Sequence, residues 1–311
     1  MTDLSNPRWI KLKGLWFLLL GLAGFVLLAG WALLCRPGHV PPPEPLPTPN
    51  GYADFVRAGT LVAENSGDYS TLPLPALRAL VATHAAALRL VRAGLAKACR
   101  MPPYFLNATN SQHLDEVATF KRLAQAFSAE CRLARLESRI PDAQAAALDC
   151  CHFGQKATTG GVMIDALVGL AIEAIGLARL SELQNDLDAK CARQAAQALE
   201  ALDARQESLD TIFARERRWM RAGRFGEAGL LQQLMAAFTN RPADARIRLK
   251  AQRVARELRQ TMLDCAARAY ELDRGKRPAT ADALVPDYLK AVPLDPATGQ
   301  PMTLRQLPPG A

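Results

Sequence analysis

Two carboxylates, Asp165 and Glu173, sit in an otherwise apolar stretch from Val162 to Leu183. On a helix they lie two turns apart and about 80° around the axis, at 100° per residue. A buried carboxylate is costly unless it is paired, and a perturbed pair of acids is where acid/base catalysis begins. Asp165 and Glu173 are therefore the candidate catalytic residues, as the acid/base pair of an enzyme. The competing reading, adopted here, is structural: both acids bond arginines or helix ends, with Arg215, Arg217 and Arg218 as natural partners.

Those arginines belong to the densest charge cluster, RERRWMRAGR, with Arg215, Arg217, Arg218, Arg221 and Arg224, followed by a second basic run from Arg246 to Arg259. Such a face suits anionic lipid headgroups or acidic wall polymers. It also suits a plain solvated face with Glu216 paired to neighbouring arginines. Only Trp219 and Phe225 interleave with the charges. The topology derived below puts the cluster outside the cytoplasm, so nucleic acid is not an expected partner.

Cys150 and Cys151 are adjacent, about 100° apart on a helix, and cannot both face one metal. His84, His113 and His152 share no ligand spacing, so no metal or cofactor is expected. Buried free thiols are the adopted reading of the seven cysteines, with one bridge between Cys131 and a cysteine of the next helix left open. Asn107-Ala108-Thr109 fits a glycosylation acceptor, relevant only in a eukaryotic secretory route. There is no P-loop, H-E-x-x-H, G-x-S-x-G or dinucleotide fingerprint, which removes the common enzymes.

The elements that must position these residues begin with an anchor. Leu15 to Leu34 reads LWFLLLGLAGFVLLAGWALL and carries no charge. About twenty apolar residues span a bilayer core of roughly 30 Å. Trp16 and Trp31 stand near its ends, as interfacial aromatics do, and Gly21 and Gly24 are too close for a G-x-x-x-G motif. Arg8, Lys11 and Lys13 precede the segment and Arg36 follows it, which puts the N-terminus in the cytoplasm and the C-terminal bulk outside. A cleaved signal peptide would have a shorter apolar core and a small-residue site, and a lipoprotein signal would not place Leu33 and Leu34 before Cys35.

Residues 35–50 include RPGHVPPPEPLPTPN, a proline-rich spacer of roughly 40 Å in polyproline II. Residues 51–273 read as successive helices, in keeping with an Ala- and Leu-rich composition and only 6% aromatics. The expected spans are Tyr52–Glu64, Pro75–Ala98, His113–Arg139, Ala143–Ala157, Val162–Leu183, Leu187–Glu207, Ser208–Phe238, weakened at Gly223 and Gly226, and Ala243–Asp273. Val162–Leu183 is apolar nearly all round and is expected to be the central, most buried helix. The fold class is thus all-α: one transmembrane helix, then an irregular helical bundle or solenoid-like array of antiparallel helices. Residues 274–311 form a proline-rich, non-helical tail, whose Leu284, Val285, Tyr288 and Leu289 are spaced to dock on that body.

The tail resembles the closing segment of pseudopilins, through Gly275, Pro278, Leu284, Val285, Pro286, Tyr288, Leu289, Pro293, Asp295, Pro296, Gly299 and Pro301. The anchor lacks the acid that pseudopilin assembly needs, and Asp295 alone does not make a calcium site. The whole order of features is similar to a family of uncharacterised bacterial envelope proteins. The shared parts are the signal-anchor, the spacer, the opening NGYADFVRAG (Asn50 to Gly59), the helix GGVMIDALVGLAI (Gly160 to Ile172) and this tail. The resemblance implies a layout and no activity. The expected function is a membrane-anchored scaffold or interaction protein of the bacterial cell envelope. It would hold the bilayer through residues 15–34 and meet an envelope protein or anionic surface through its body. The alternative is the envelope enzyme built on Asp165 and Glu173.

Overall fold

The computed structural model describes residues 44–62, 69, 71–103, 110–223 and 230–305, and positions 21, 22, 24, 25, 28 and 30; the side chains of 110–112 and 219–243 are outside that description. Outside it too lie Leu15, Trp16, Trp31 and Leu34 of the anchor, the N-terminal segment 1–14, residues 35–43 of the spacer, and Asn107. The described anchor positions, Gly21 and Gly24 among them, are helical, and Leu22, Phe25 and Leu28 leave 59, 69 and 70% of their surface uncovered.

Among the described residues after 50 there are eight α-helices and no strand. We number them α1 (Tyr52–Leu61), α2 (Leu74–Leu95), α3 (Asn110–Leu136), α4 (Ile140–Ala157), α5 (Met163–Leu183), α6 (Ala189–Asp203), α7 (Leu209–Gly223) and α8 (Leu230–Arg274). Prolines open α2 and α4, where a missing N–H costs nothing. Asp188 caps α6 by accepting from the Cys191 N–H at 2.7 Å. Gly275, at φ +70°, ends α8 and donates its N–H to the Glu271 carbonyl at 2.8 Å.

One expected boundary is corrected. The chain does not break at Pro242, through which α8 runs for 45 residues, and α7 is described only as far as Gly223, one of the two glycines expected to weaken this stretch.

Beside a smaller cluster that joins Leu77 of α2 to Ala129 and Leu133 of α3, the main core cluster is contributed by α1 to α6, α8 and the tail. α5 is its hub and packs on α3, α4, α7 and α8. It meets α4 at close range because Gly154, Gly169 and Gly176 lack side chains. A Cβ on Gly154 would lie 2.7 Å from the Gly169 carbonyl oxygen, and one on Gly176 would lie 2.6 Å from Cys151 Sγ. A run of edge-to-face rings, Tyr52, Phe120, Phe153 and Phe55, joins α1, α3 and α4, with centroids 5.1 to 5.7 Å apart.

α5 is not buried all round. Ile164 (40% uncovered), Ala171, Ala174 and Ala178 form an outward stripe. Apolar composition follows from the neighbours on its other sides, and small alanines are tolerated in water.

Among the described residues one helix, α2, is long and apolar enough to cross a membrane by length and composition. Its Leu77, His84, Leu88 and Val91 are buried in the body while Arg78 and Arg89 face out, so it reads as a core helix that passes the same test. The tail packs back on the body: Leu284, Tyr288 and Leu289 are buried, and Val285 is half-buried.

Candidate functional site

The N-terminus of α5 is held from three directions. Asp165, in the first turn, accepts from the Val162 N–H through Oδ2 at 2.8 Å. Its Oδ1 lies 2.7 Å from His113 Nε2 of α3, and both side chains are sealed from solvent. Glu216 of α7 accepts from the Met163 N–H at 3.1 Å. Arg215 donates to the Gly161 carbonyl at 2.6 Å and is paired with Glu207. Carboxylates here satisfy orphan N–H groups and lie at the favourable end of the helix dipole.

Of the two expected kinds of partner, Asp165 takes the helix end, and in place of an arginine it bonds a histidine 52 residues away. Arg215 stays in the neighbourhood but serves Gly161 and Glu207. Arg217 and Arg218 are exposed, and Glu216 is bound to Met163 rather than to its neighbouring arginines. The Arg221 side chain and Arg224 lie outside the described residues. Of the second basic run, Arg248 pairs with Asp210, Arg256 with Asp295 and Arg259 with Asp203, so much of that charge is spent on packing.

Glu173 has a different environment. It leaves 3% of its surface uncovered, and no hydrogen bond acts on its carboxyl among the described residues. It lines a cavity of about 260 Å³ between α4, α5, α8, the α6–α7 connection and the tail. Gln155, Thr158, Thr159, Gln206 and Gln252 supply polar walls, and Pro296 of the tail closes one side. Burial, and then the charge of nearby Asp203, push the Glu173 carboxyl up to about 7. Asp165 does not line this cavity. The two acids that an acid/base mechanism would need are thus divided: one sealed and bonded, the other unpaired beside an open space.

A second hollow, about 740 Å³, opens between α3 and α5 beneath Arg132, Arg135 and Arg179. Its guanidiniums are engaged: Arg132 with the Tyr69 and Leu72 carbonyls, Arg135 with Asp186, Arg179 with Glu182. All six described cysteines are free, so Cys131 forms no bridge, and burial pushes its thiol up to about 12. Cys150 and Cys151 are buried and shifted upward by the same cause, which makes them inert rather than nucleophilic. His152 is half-buried, and burial, helped by Lys156 and Arg205, pushes it down to about 4. Among the described residues no group of three His, Cys, Asp or Glu could hold a metal ion.

Sequence reasoning missed one cluster. Arg92 of α2 donates to Glu130 of α3 at 2.6 Å and to Asp149 of α4 at 2.6 Å, and stacks over the Phe127 ring. No short-range spacing could have announced it, because its partners are 38 and 57 residues away.

The resembling segments have structural work to do. Asn50 accepts from the Arg100 N–H and donates to its carbonyl, pinning the start of the body to the end of α2. Gly51 and Gly59 make room for the Gly94 carbonyl and Thr119. In the tail, Asp295 accepts from the Ala297 and Thr298 N–H groups and from Arg256, which closes the turn. No protein-family model, curated protein or solved structure matches this chain.

Proposed function

We propose that this chain is a membrane-tethered helical module of the bacterial cell envelope that acts by binding rather than by catalysis. Residues 15–34 are its uncleaved signal-anchor, with the N-terminus in the cytoplasm. Residues 35–50 hold the helical body off the bilayer on the far side. The resemblance of its opening, central helix and tail to envelope proteins supports that location. So does the uncovered state of Leu22, Phe25 and Leu28, apolar helical side chains that make no core of their own.

The observation that carries binding over catalysis is the division of the two acids. Asp165 is committed to His113 and the Val162 N–H, while Glu173 faces a cavity that Asp165 does not reach. A general acid and base must both touch the reacting group. The enzyme reading would need them in one cleft.

The test is fractionation of cells expressing the full chain with a C-terminal tag. The tagged protein is expected in the membrane pellet after alkaline carbonate, and the tag is expected to be cut by protease added to spheroplasts. Deletion of residues 15–34 should move the protein to the soluble fraction. A carbonate-soluble full chain, or a tag protected in intact spheroplasts, overturns the tether or its orientation.

A further inference from the structure

The Glu173 cavity has a composition that points to a ligand. An ionised carboxyl taken out of water must be matched by an opposite charge or a set of donors, or else take up a proton. Asp165, Asp203, Glu207 and Asp295, the acids nearest this region, all have such partners: His113, Arg259, Arg215 and Arg256. Glu173, like Asp165, is buried, but it has none among the described residues, and space lies beside it. We propose that this cavity is a binding site for a small organic cation, a primary amine whose ammonium group sits on the Glu173 carboxylate.

The proposal rests on the binding reading above, and the walls fit it. Besides Arg205 and Glu207, which bond elsewhere, their polar groups are amides and hydroxyls, Gln155, Thr158, Thr159, Gln206 and Gln252, able to accept the remaining ammonium hydrogens. Their apolar part, Ala166, Leu170, Leu209, Ile212, Ala251 and Ala255, suits a short alkyl chain. The volume, about 260 Å³, is that of about nine waters at roughly 30 Å³ each, enough for a molecule of a few carbons.

The charged groups around Glu173 come from three places. On α6, Asp203 raises its proton affinity but is neutralised by Arg259 of α8. The α6–α7 connection presents Arg205, which turns back to the Ala201 carbonyl, and Glu207, which is held by Arg215. From α4 the titratable neighbour is the Cys151 thiol, which donates to the Glu173 carbonyl oxygen at 3.7 Å and stays protonated. None supplies a positive charge to the carboxyl itself. Without a cation Glu173 titrates near 7, and with one it must be ionised, so amine binding releases a proton.

Titration calorimetry on the full chain in detergent micelles tests this, with butylamine and 1,4-diaminobutane as probes and 1-butanol and butyrate as neutral and anionic controls. The amines are expected to bind and the controls not. Affinity should rise about tenfold from pH 6 to pH 8, since a group titrating near 7 is about one-tenth ionised at the first and nine-tenths at the second. Glu173→Gln should weaken the amines at least tenfold. Should that variant fail to fold, Ala255→Phe keeps the acid and fills the space, and is expected to abolish binding. Buffers of different ionisation heat should report about half a proton released by the wild type at pH 7. Amines that do not bind, that bind folded Glu173→Gln or Ala255→Phe unchanged, or that bind no better than 1-butanol overturn the site. An amine that binds and is then chemically converted, seen by mass spectrometry, keeps the site and overturns the non-catalytic reading instead. Absence of binding leaves the membrane tether to its own fractionation test.

Discussion

His113 Nε2 and Asp165 Oδ1 lie 2.7 Å apart in a position sealed from solvent, and this contact ties the start of α3 to the first turn of α5. With the carboxylate as acceptor, the imidazole carries its proton on Nε2. Asp165→Leu removes that acceptor and the cap on Val162 together, and is expected to cost about 3–5 kcal/mol, as does breaking other buried pairs. Asp165→Asn keeps an oxygen for the cap and should cost less. A double-mutant cycle of His113→Ala with Asp165→Ala, read from urea midpoints, should show coupling of about 1 kcal/mol or more. Additive losses would mean the contact does not hold α3 to α5.

Glu173 makes the opposite contribution. Its folded-state value, about 7, stands above the ordinary 4.5. Between those values the folded chain binds more protons than the unfolded one, so stability falls as pH rises through this window. The loss is complete above about 7 and amounts to about 3 kcal/mol from the 1.36 kcal/mol per unit relation. Glu173→Gln should therefore flatten the stability profile between pH 4.5 and 7 and melt higher than the wild type at pH 8. A variant profile parallel to the wild type would refute the burial argument.

The glycine crossing of α4 and α5 leaves no room for a methyl group. Gly169→Ala would place its Cβ 2.7 Å from the Gly154 carbonyl oxygen and 2.7 Å from Thr158 Oγ1. Backbone cannot yield as a long side chain can, so a loss of about 1–3 kcal/mol is expected. Gly275→Ala meets no neighbour but must hold φ +70°, and should cost about 1 kcal/mol through backbone strain alone. Equal, negligible shifts in melting temperature for both would contradict the crossing.

Residues 50–311 should fold without the anchor, since the core draws on α1 to α6, α8 and the tail. Residues 50–273 lack Leu284, Tyr288 and Leu289, which are buried, and lose the Asp295 pair with Arg256. Circular dichroism melts should be cooperative for the first and markedly lower for the second. A tail-less chain that melts with the longer one would show that the tail is an accessory.

Helices were legible in the sequence where periodic apolar spacing ran between clear stops, as in Ile140–Ala157, with Pro141 at its head and the Thr158–Gly161 turn at its foot. The stretch around Pro242 was misread because a single proline looks decisive locally. The buried acids were also legible, as charges in an apolar run. What they bond was not, because His113 and Arg92 reach their partners across 38 to 57 residues, and one sequence carries no record of such distances. The same limit hid the division between Asp165 and Glu173. Two turns of helix turn one acid toward α3 and the other toward α6 and α8, and only the neighbours decide what each meets.

Pro296 stands in the cavity wall while its neighbour Asp295 is tied to α8 by Arg256. Docking of the tail and filling of the cavity are therefore two equilibria with one shared surface. A molecule that touches Pro296 binds the docked form more tightly than the undocked one, and by reciprocity its presence lowers the population of undocked tails. Cleavage of the chain near residues 296–299 by a protease then becomes a gauge of occupancy. It would slow in the presence of any true occupant, before the identity of that occupant is known.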